Sequence, residues 1–245
     1  MGERVLVAMS GGVDSSVAAL KMLEQGCVCI GGTMKLFTPA CAGCDPTCGS
    51  GADAEDAAAV CRALGMEHRV YDLSAAFGEE VIARFVDAYE RGATPNPCID
   101  CNRYMKFERL YRLARAEGYD LVATGHYARV EQDPATGRWL LKKAADPAKD
   151  QSYVLYALTQ EQLAHTRFPL GDMTKAEVRA MAAAHGFLNA EKRDSQDICF
   201  VPDGDYAAFI SRYTGKTYPE GDFLDSEGRV IGTHRGIIRY TVGQR

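Results

Sequence analysis

The 245-residue chain has no apolar run approaching the roughly 20 residues that a membrane-spanning helix needs. Its N-terminal apolar stretch, Val5 to Met9, is too short for a signal h-region and runs at once into glycines and Asp14. No secretion signal is read there, so a cytoplasmic location with no membrane partner is expected. Positive charge is not in excess either: 28 basic residues face 33 acidic ones, a net charge of -5. A sequence-independent binder of polyanions is thereby disfavoured, and any nucleic acid has to be held by a local patch. Repeats of fixed period and low-complexity tracts are missing, which argues against a solenoid. The nine cysteines are an odd number and cannot all pair within one chain, so in a reducing compartment they point to chemistry or metal rather than a disulfide framework.

What the chain does have is 47% hydrophobic and 25% charged residues, the make-up of an ordinary globular protein. Strands are expected at Arg4 to Met9, Cys27 to Met34, Glu67 to Leu73 and Asp120 to Thr124. They alternate with helices at Ser15 to Gln25, Asp53 to Leu64, Phe77 to Arg91 and Tyr104 to Glu117. Gly92 and the prolines at 95 and 97 stop the third helix. A hairpin is expected over Tyr127 to Lys143, turning at Asp133 to Gly137. This order predicts an α/β fold with a parallel, Rossmann-like sheet over residues 1–150, covered by helices on both faces. Helical units at Gln151 to Leu158, Lys175 to His185 and Asp205 to Arg212 suggest a small helical domain over 151–220. Glycines among Val230, Ile231, Ile237, Ile238 and Val242 suggest the start of a β-type module over 221–245.

The sharpest local signal is Ser10-Gly11-Gly12-Val13-Asp14-Ser15-Ser16, set between the first strand and the first helix. Glycines let backbone amides converge on phosphate oxygens, the serine hydroxyls add donors, and the helix N-terminus supplies favourable partial charge. No Gly-Lys-Ser or Gly-Lys-Thr completes the string, so it is not a Walker loop. Asp14 would repel bare phosphate, and is read both as a helix cap and as a carboxylate helping to place Mg2+.

This string resembles the SGGxDS signature of the N-type ATP pyrophosphatases, which transfer AMP to a substrate oxygen. Four further stretches narrow the resemblance to the bacterial tRNA-specific 2-thiouridylases: Asn96-Pro97-Cys98-Ile99-Asp100-Cys101-Asn102, Thr124-Gly125-His126-Tyr127, Lys149-Asp150-Gln151-Ser152-Tyr153 and Asp194-Ser195-Gln196-Asp197-Ile198-Cys199-Phe200. The resemblance spans essentially the whole chain and implies an N-type ATP pyrophosphatase domain, a tRNA-contacting helical domain and the opening of a C-terminal β-barrel that looks truncated. It implies ATP-dependent replacement of the wobble uridine O2 by sulfur, with ATP held by Ala8, Met9, Ser10, Gly11, Gly12, Val13, Asp14, Ser15, Ser16, Met34 and Gly125. Asn96, Pro97, Cys98, Arg103, His126, Lys149, Asp150 and Gln151 would contact tRNA. The target base has to leave its stack to be attacked.

By the same resemblance Cys199 would accept sulfur from a persulfide-bearing donor protein. Cys101 would release it, or attack the persulfide to form a disulfide with Cys199. Many members carry aspartate where this chain has Cys98, which puts that position's acid-base role in doubt. Cys98 and Cys101 are also spaced as Cys-x-x-Cys, and with Cys199 they offer three thiolates to an iron-sulfur cluster as a second mechanism. Cys41, Cys44 and Cys48 make a separate candidate site for zinc or another metal. The helix expected to begin near Arg103 would favour a Cys101 thiolate through its dipole. Arg103, Lys106, Arg109 and Arg112 form a basic run suited to phosphate contact. Cys27, Cys29 and Cys61 read as core thiols. Competing functions are an amidating synthetase, which needs neither Cys101 nor Cys199, and an RNA- or metal-binding module without catalysis.

Overall fold

A computed structural model describes residues 2–37, 51–192 and 198–244. Cys41, Cys44, Cys48 and the polar run Asp194 to Asp197 lie outside the described residues. The central sheet is parallel and five-stranded, in the order β3-β2-β1-β4-β7. Its strands are β1 (Arg4–Ala8), β2 (Val28–Lys35), β3 (Glu67–Asp72), β4 (Leu121–Ala123) and β7 (Thr166–Arg167). The last is an edge strand that the sequence pattern did not signal, because two residues carry no periodicity. It lies in the 151–220 stretch, so the main sheet continues into that stretch.

Alternation along β1 explains the layering. Val5 and Val7 point to one face, Leu6 to the other, and all three are fully buried. On the first face they meet α1 (Val13–Glu24), α2 (Gly51–Ala63) and α6 (Lys175–Ala184) through Val17, Ala18, Val60, Val178 and Ala182. On the second, Leu6, Ile30 and Val122 pack under Leu110, Tyr111 and Ala114 of helix α4. Helix α4 runs over residues 97–116, from Pro97–Asp100 through wide π-type turns at Cys101–Leu110 to Tyr111–Ala116. Helix α3, residues 74–90, is likewise continuous and has π-type turns at Gly78–Ile82. Its Phe77, Phe85 and Tyr89 share a third cluster with Met105, Phe200, Val201 and helix α7 (Tyr206–Thr214).

The expected hairpin is present as β5 (Ala128–Gln132) and β6 (Trp139–Lys143). A 3-10 turn, Ser152–Leu155, and α5 (Gln160–Ala164) follow. The C-terminal segment pairs β8 (Gly221–Leu224) with β9 (Val230–His234) and closes on Ile238, which is buried in the third cluster. Among the described residues no helix is long and apolar enough to cross a membrane.

Candidate functional site

In an open parallel sheet, ligands sit beyond the carboxyl ends of the strands where the winding direction reverses, here between β1 and β4. A cleft of about 450 Å3 opens at that point. Its walls come from the loops after β1, β2 and β4, from the first turns of α4, and from the segment carrying Cys199. Of the expected ATP site, Ala8, Met9, Ser10, Gly12, Val13, Asp14, Ser15, Met34 and Gly125 line it, whereas Gly11 and Ser16 do not. Pro97, Cys98, Cys101, His126, Lys149, Gln151 and Cys199 line the same space; Asn96, Arg103 and Asp150 do not.

The phosphate-type loop is braced from within. Gly12 is the N-cap of α1, so the reading of Asp14 as the cap is corrected: it sits in the first turn. Ser15 and Ser16 are buried, and their hydroxyls donate to the Gly12 carbonyl at 2.9 and 3.0 Å, adding to the bond it accepts from the Ser16 amide at 3.3 Å and tying the turn to the first residues of the helix. Gly11 has φ +73, and a Cβ there would fall 2.4 Å from the Asp53 carbonyl oxygen. Gly125 is needed for a related reason, since its Cβ would lie 2.8 Å from the Asp14 carbonyl carbon and the Ser15 nitrogen. The loop after β4 is thus pressed onto the start of α1.

Charged groups that sequence reasoning missed surround this loop. Lys175 Nζ donates to both carboxylate oxygens of Asp14, at 2.7 and 2.8 Å, and the Tyr127 hydroxyl donates to Asp14 Oδ1 at 2.8 Å. Lys192 Nζ is held by Asp53 at 2.8 Å and Asp56 at 2.7 Å, and reaches the Gly11 carbonyl at 3.4 Å. Burial works against the charged amine, but these two carboxylates win and raise the Lys192 pKa. Asn189 Nδ2 donates to the Gly11 carbonyl and to Ser16 Oγ, fixing the loop from the α6 side. Lys175 was hidden because it is the first residue of a helix opened by an ordinary capping box, Thr174 with Glu177.

On the opposite wall, Asn96 accepts the Cys98 amide through its side chain and Pro97 takes the first helical position, a strong N-terminal signal. Helix α4 therefore begins seven residues before the expected Tyr104. Cys98 lies in its first turn, and Cys101, expected to precede the helix, lies one turn inside it. Cys98 is exposed and Cys101 half-buried. Cys199 is half-buried too, and is anchored by its neighbour Phe200, whose ring meets Phe85 and Phe209 at 5.2 Å and Phe77 at 5.9 Å. Cys101 and Cys199 pack against the same apolar cluster, which is why one cleft receives both.

No group of three His, Cys, Asp or Glu side chains among the described residues is arranged to hold a metal ion. Cys98, Cys101 and Cys199 share a cleft without converging as ligands, and they do not fit a preformed cluster. Asp14, engaged by Lys175 and Tyr127, does not form a metal site with other carboxylates either. Cys29 and Cys61 behave as core thiols, with burial pushing their pKa up to about 12 and about 11.

His126 is buried and bonded by Thr124 Oγ1 at its Nδ1, 2.7 Å, and by Lys106 Nζ at its Nε2, 3.4 Å. A lysine ammonium only donates, so Nε2 accepts and Nδ1 carries the proton. Desolvation first, and the Lys106 charge second, hold the His126 pKa well below its ordinary range. The expected basic run does not form one patch. Lys106 turns inward to His126, Arg109 pairs with Glu80, Arg112 with Glu108, and Arg103 lies over the Tyr104 ring at 5.1 Å.

Comparison with known proteins gives consistent findings. A family model described as the tRNA methyl transferase HUP domain matches residues 3–203, and one described as the tRNA methyl transferase PRC-barrel domain matches residues 207–245. The tRNA-specific 2-thiouridylase MnmA of Geotalea uraniireducens is 52% identical over 99% of this chain and 66% of its own length. That of Clostridioides difficile is 48% identical over 100% of this chain and 68% of its own. The chain thus spans about two thirds of the curated relatives it matches. A crystal structure of a 4-thiouridine synthetase–RNA complex with bound ATP superposes with a TM-score of 0.54 at 19% identity, covering 82% of this chain and 45% of that one, a likeness of fold.

Proposed function

The chain belongs to the family of tRNA-specific 2-thiouridylases, and from that premise we propose that it is a cytoplasmic tRNA-uridine 2-sulfurtransferase that adenylates the wobble uridine and replaces its O2 by sulfur. The observation that carries this reading is the shared cleft: the phosphate-type loop and two cysteines far apart in sequence line one space of about 450 Å3. An amidating synthetase has use for the loop alone, and although the family-model description names methyl transfer, the curated relatives at about 50% identity are 2-thiouridylases.

The chemistry divides along the cleft. As the uridine N3 proton is lost, O2 attacks the α phosphorus of ATP; the bond from that phosphorus to the bridging oxygen breaks, and pyrophosphate leaves with the electron pair. The Gly12 turn and the N-terminus of α1 face the phosphates. Lys175 and Lys192 exchange their carboxylate partners for the departing pyrophosphate, supplying local positive charge that a chain of net charge -5 lacks overall. Mg2+ accompanying the nucleotide would neutralise phosphate charge when bound.

Sulfur then arrives as a persulfide on Cys199, delivered by a persulfide-bearing donor protein. The Cys101 thiolate attacks the inner sulfur of that persulfide, forming a Cys101–Cys199 disulfide and expelling hydrosulfide. Hydrosulfide adds to C2, and AMP leaves with O2. A dithiol reductant returns both cysteines to thiols. Lys149 and Gln151 at the cleft rim, with Asn96 and Pro97 beside Cys98, hold the RNA around the extruded base.

Incubating the protein with ATP, magnesium, a persulfide donor and unmodified tRNA tests the reading. Thiouridine formed together with AMP supports it. AMP formed only with an amine acceptor points to an amidating synthetase, and RNA binding with neither product points to a binding module.

A further inference from the structure

Two of the chain's tyrosines stand out of the fold on the turn that follows the cleft-lining Lys149 and Gln151. Tyr153 is 61% exposed and Tyr156 69%, while the two residues between them, Val154 and Leu155, are buried at 5% and 0%. A 3-10 turn has three residues per revolution, so positions three apart lie above one another, roughly 6 Å apart along the axis. The turn at Ser152–Leu155 therefore sends its inner residues into the core and both tyrosines out on one side.

The turn is held firmly. Leu155 and Val154 pack with Phe107 of α4 and with Ala128 and Phe168. The Val154 carbonyl accepts from Asn102 Nδ2 at 3.5 Å, and Asn102 follows Cys101 directly. Asp150 caps the Ser152 amide and hydroxyl at 3.3 and 2.8 Å, and Gln151 is bonded at both its amide and its side chain to the Tyr127 backbone. Lys149 and Gln151, immediately before the turn, line the cleft. Neither tyrosine side chain has a hydrogen bond or ring contact among the described residues.

Two firmly mounted, solvent-facing rings, carried on the turn that follows the cleft-lining Lys149 and Gln151, match the chemistry by which proteins hold unpaired bases, stacking them on aromatic faces. Resting on the tRNA-modifying function proposed above, we propose that Tyr153 and Tyr156 form a stacking platform for unpaired anticodon-loop bases next to the one being modified. The platform keeps the loop splayed while the target base occupies the cleft. Because every base offers a π face, it reads no sequence and adds affinity independent of salt.

The test is binding of an anticodon stem-loop RNA to the protein over a series of salt concentrations. Wild type is compared with Tyr153→Ala, Tyr156→Ala, the double alanine variant and the double phenylalanine variant. Each alanine variant should weaken binding about tenfold, and the pair about a hundredfold, with the salt slope unchanged and ATP affinity retained. Tyr153→Phe with Tyr156→Phe should bind like wild type, because the ring and not the hydroxyl makes the contact. The inference is overturned alone if wild type binds and the double alanine variant binds equally well. It is overturned also if the phenylalanine variant fails like the alanine one, or if the slope falls by about one, the mark of a lost phosphate contact. A wild-type protein that binds no RNA overturns the function reading and this inference together.

Discussion

Replacing Lys175 by methionine separates the structural from the chemical work of the cationic wall. In the resting protein the Lys175 ammonium bonds both oxygens of Asp14 at 2.7 and 2.8 Å, with the two side chains 12% and 32% exposed. Charge-assisted hydrogen bonds of this kind contribute about 1.5–3 kcal/mol. The partial exposure of Asp14 and its remaining bond from Tyr127 reduce the net loss to about 1 kcal/mol. Urea unfolding should therefore shift its midpoint by only about 0.5 M or less. Losing a positioned cation from developing phosphate charge costs far more, about 10²- to 10³-fold in rate. Isotope exchange between ATP and pyrophosphate in the presence of tRNA, and the inhibition constant of pyrophosphate, read that effect directly. Exchange in Lys175→Met within about twofold of wild type would show that Lys175 serves only to pair with Asp14.

Two further predictions follow from the same geometry. Gly125→Ala puts a methyl 2.8 Å from the backbone of Asp14 and Ser15, so it should cost about 1–3 kcal/mol of stability and weaken ATP binding, both measurable by denaturant titration with and without nucleotide. His126 has a folded-state pKa depressed by burial and Lys106, so below about pH 6.5 the unfolded chain takes up a proton that the folded one refuses. Stability should fall as pH drops through that window, at up to about 1.4 kcal/mol per pH unit. His68, also depressed by burial, contributes to the same slope, and so the difference between wild type and His126→Gln isolates the part due to His126. Parallel stability curves for the two proteins between pH 5 and about 6.5 would refute the assignment.

Much of the site was legible because its signals are local. The serine-glycine string falls between a buried strand and a helix, and Asn96 with Pro97 announces a helix start that the prolines' role as breakers of α3 obscured. The missed groups are legible only in three dimensions. Lys175 stands 161 residues from Asp14, and Lys192 stands 139 and 136 residues from Asp53 and Asp56, and no spacing rule links them. Phe200, the anchor of Cys199, reads in sequence as one more core aromatic. The basic run on α4 is divided, because Lys106 turns inward to His126 while Arg109 and Arg112 each pair with a glutamate on the surface. The two-residue β7 is too short for any pattern to mark it.

The division of labour between adenylation and sulfur delivery is tested most directly by measuring AMP and 2-thiouridine in the same reaction for Cys199→Ser. The serine leaves the phosphate-type loop and its lysines in place, so AMP should still form in the presence of tRNA while thiouridine falls to background. A Cys101→Ser protein, treated with the persulfide donor, should meanwhile retain one extra sulfur on Cys199 by intact mass. Thiouridine produced by Cys199→Ser at the wild-type rate would contradict the account.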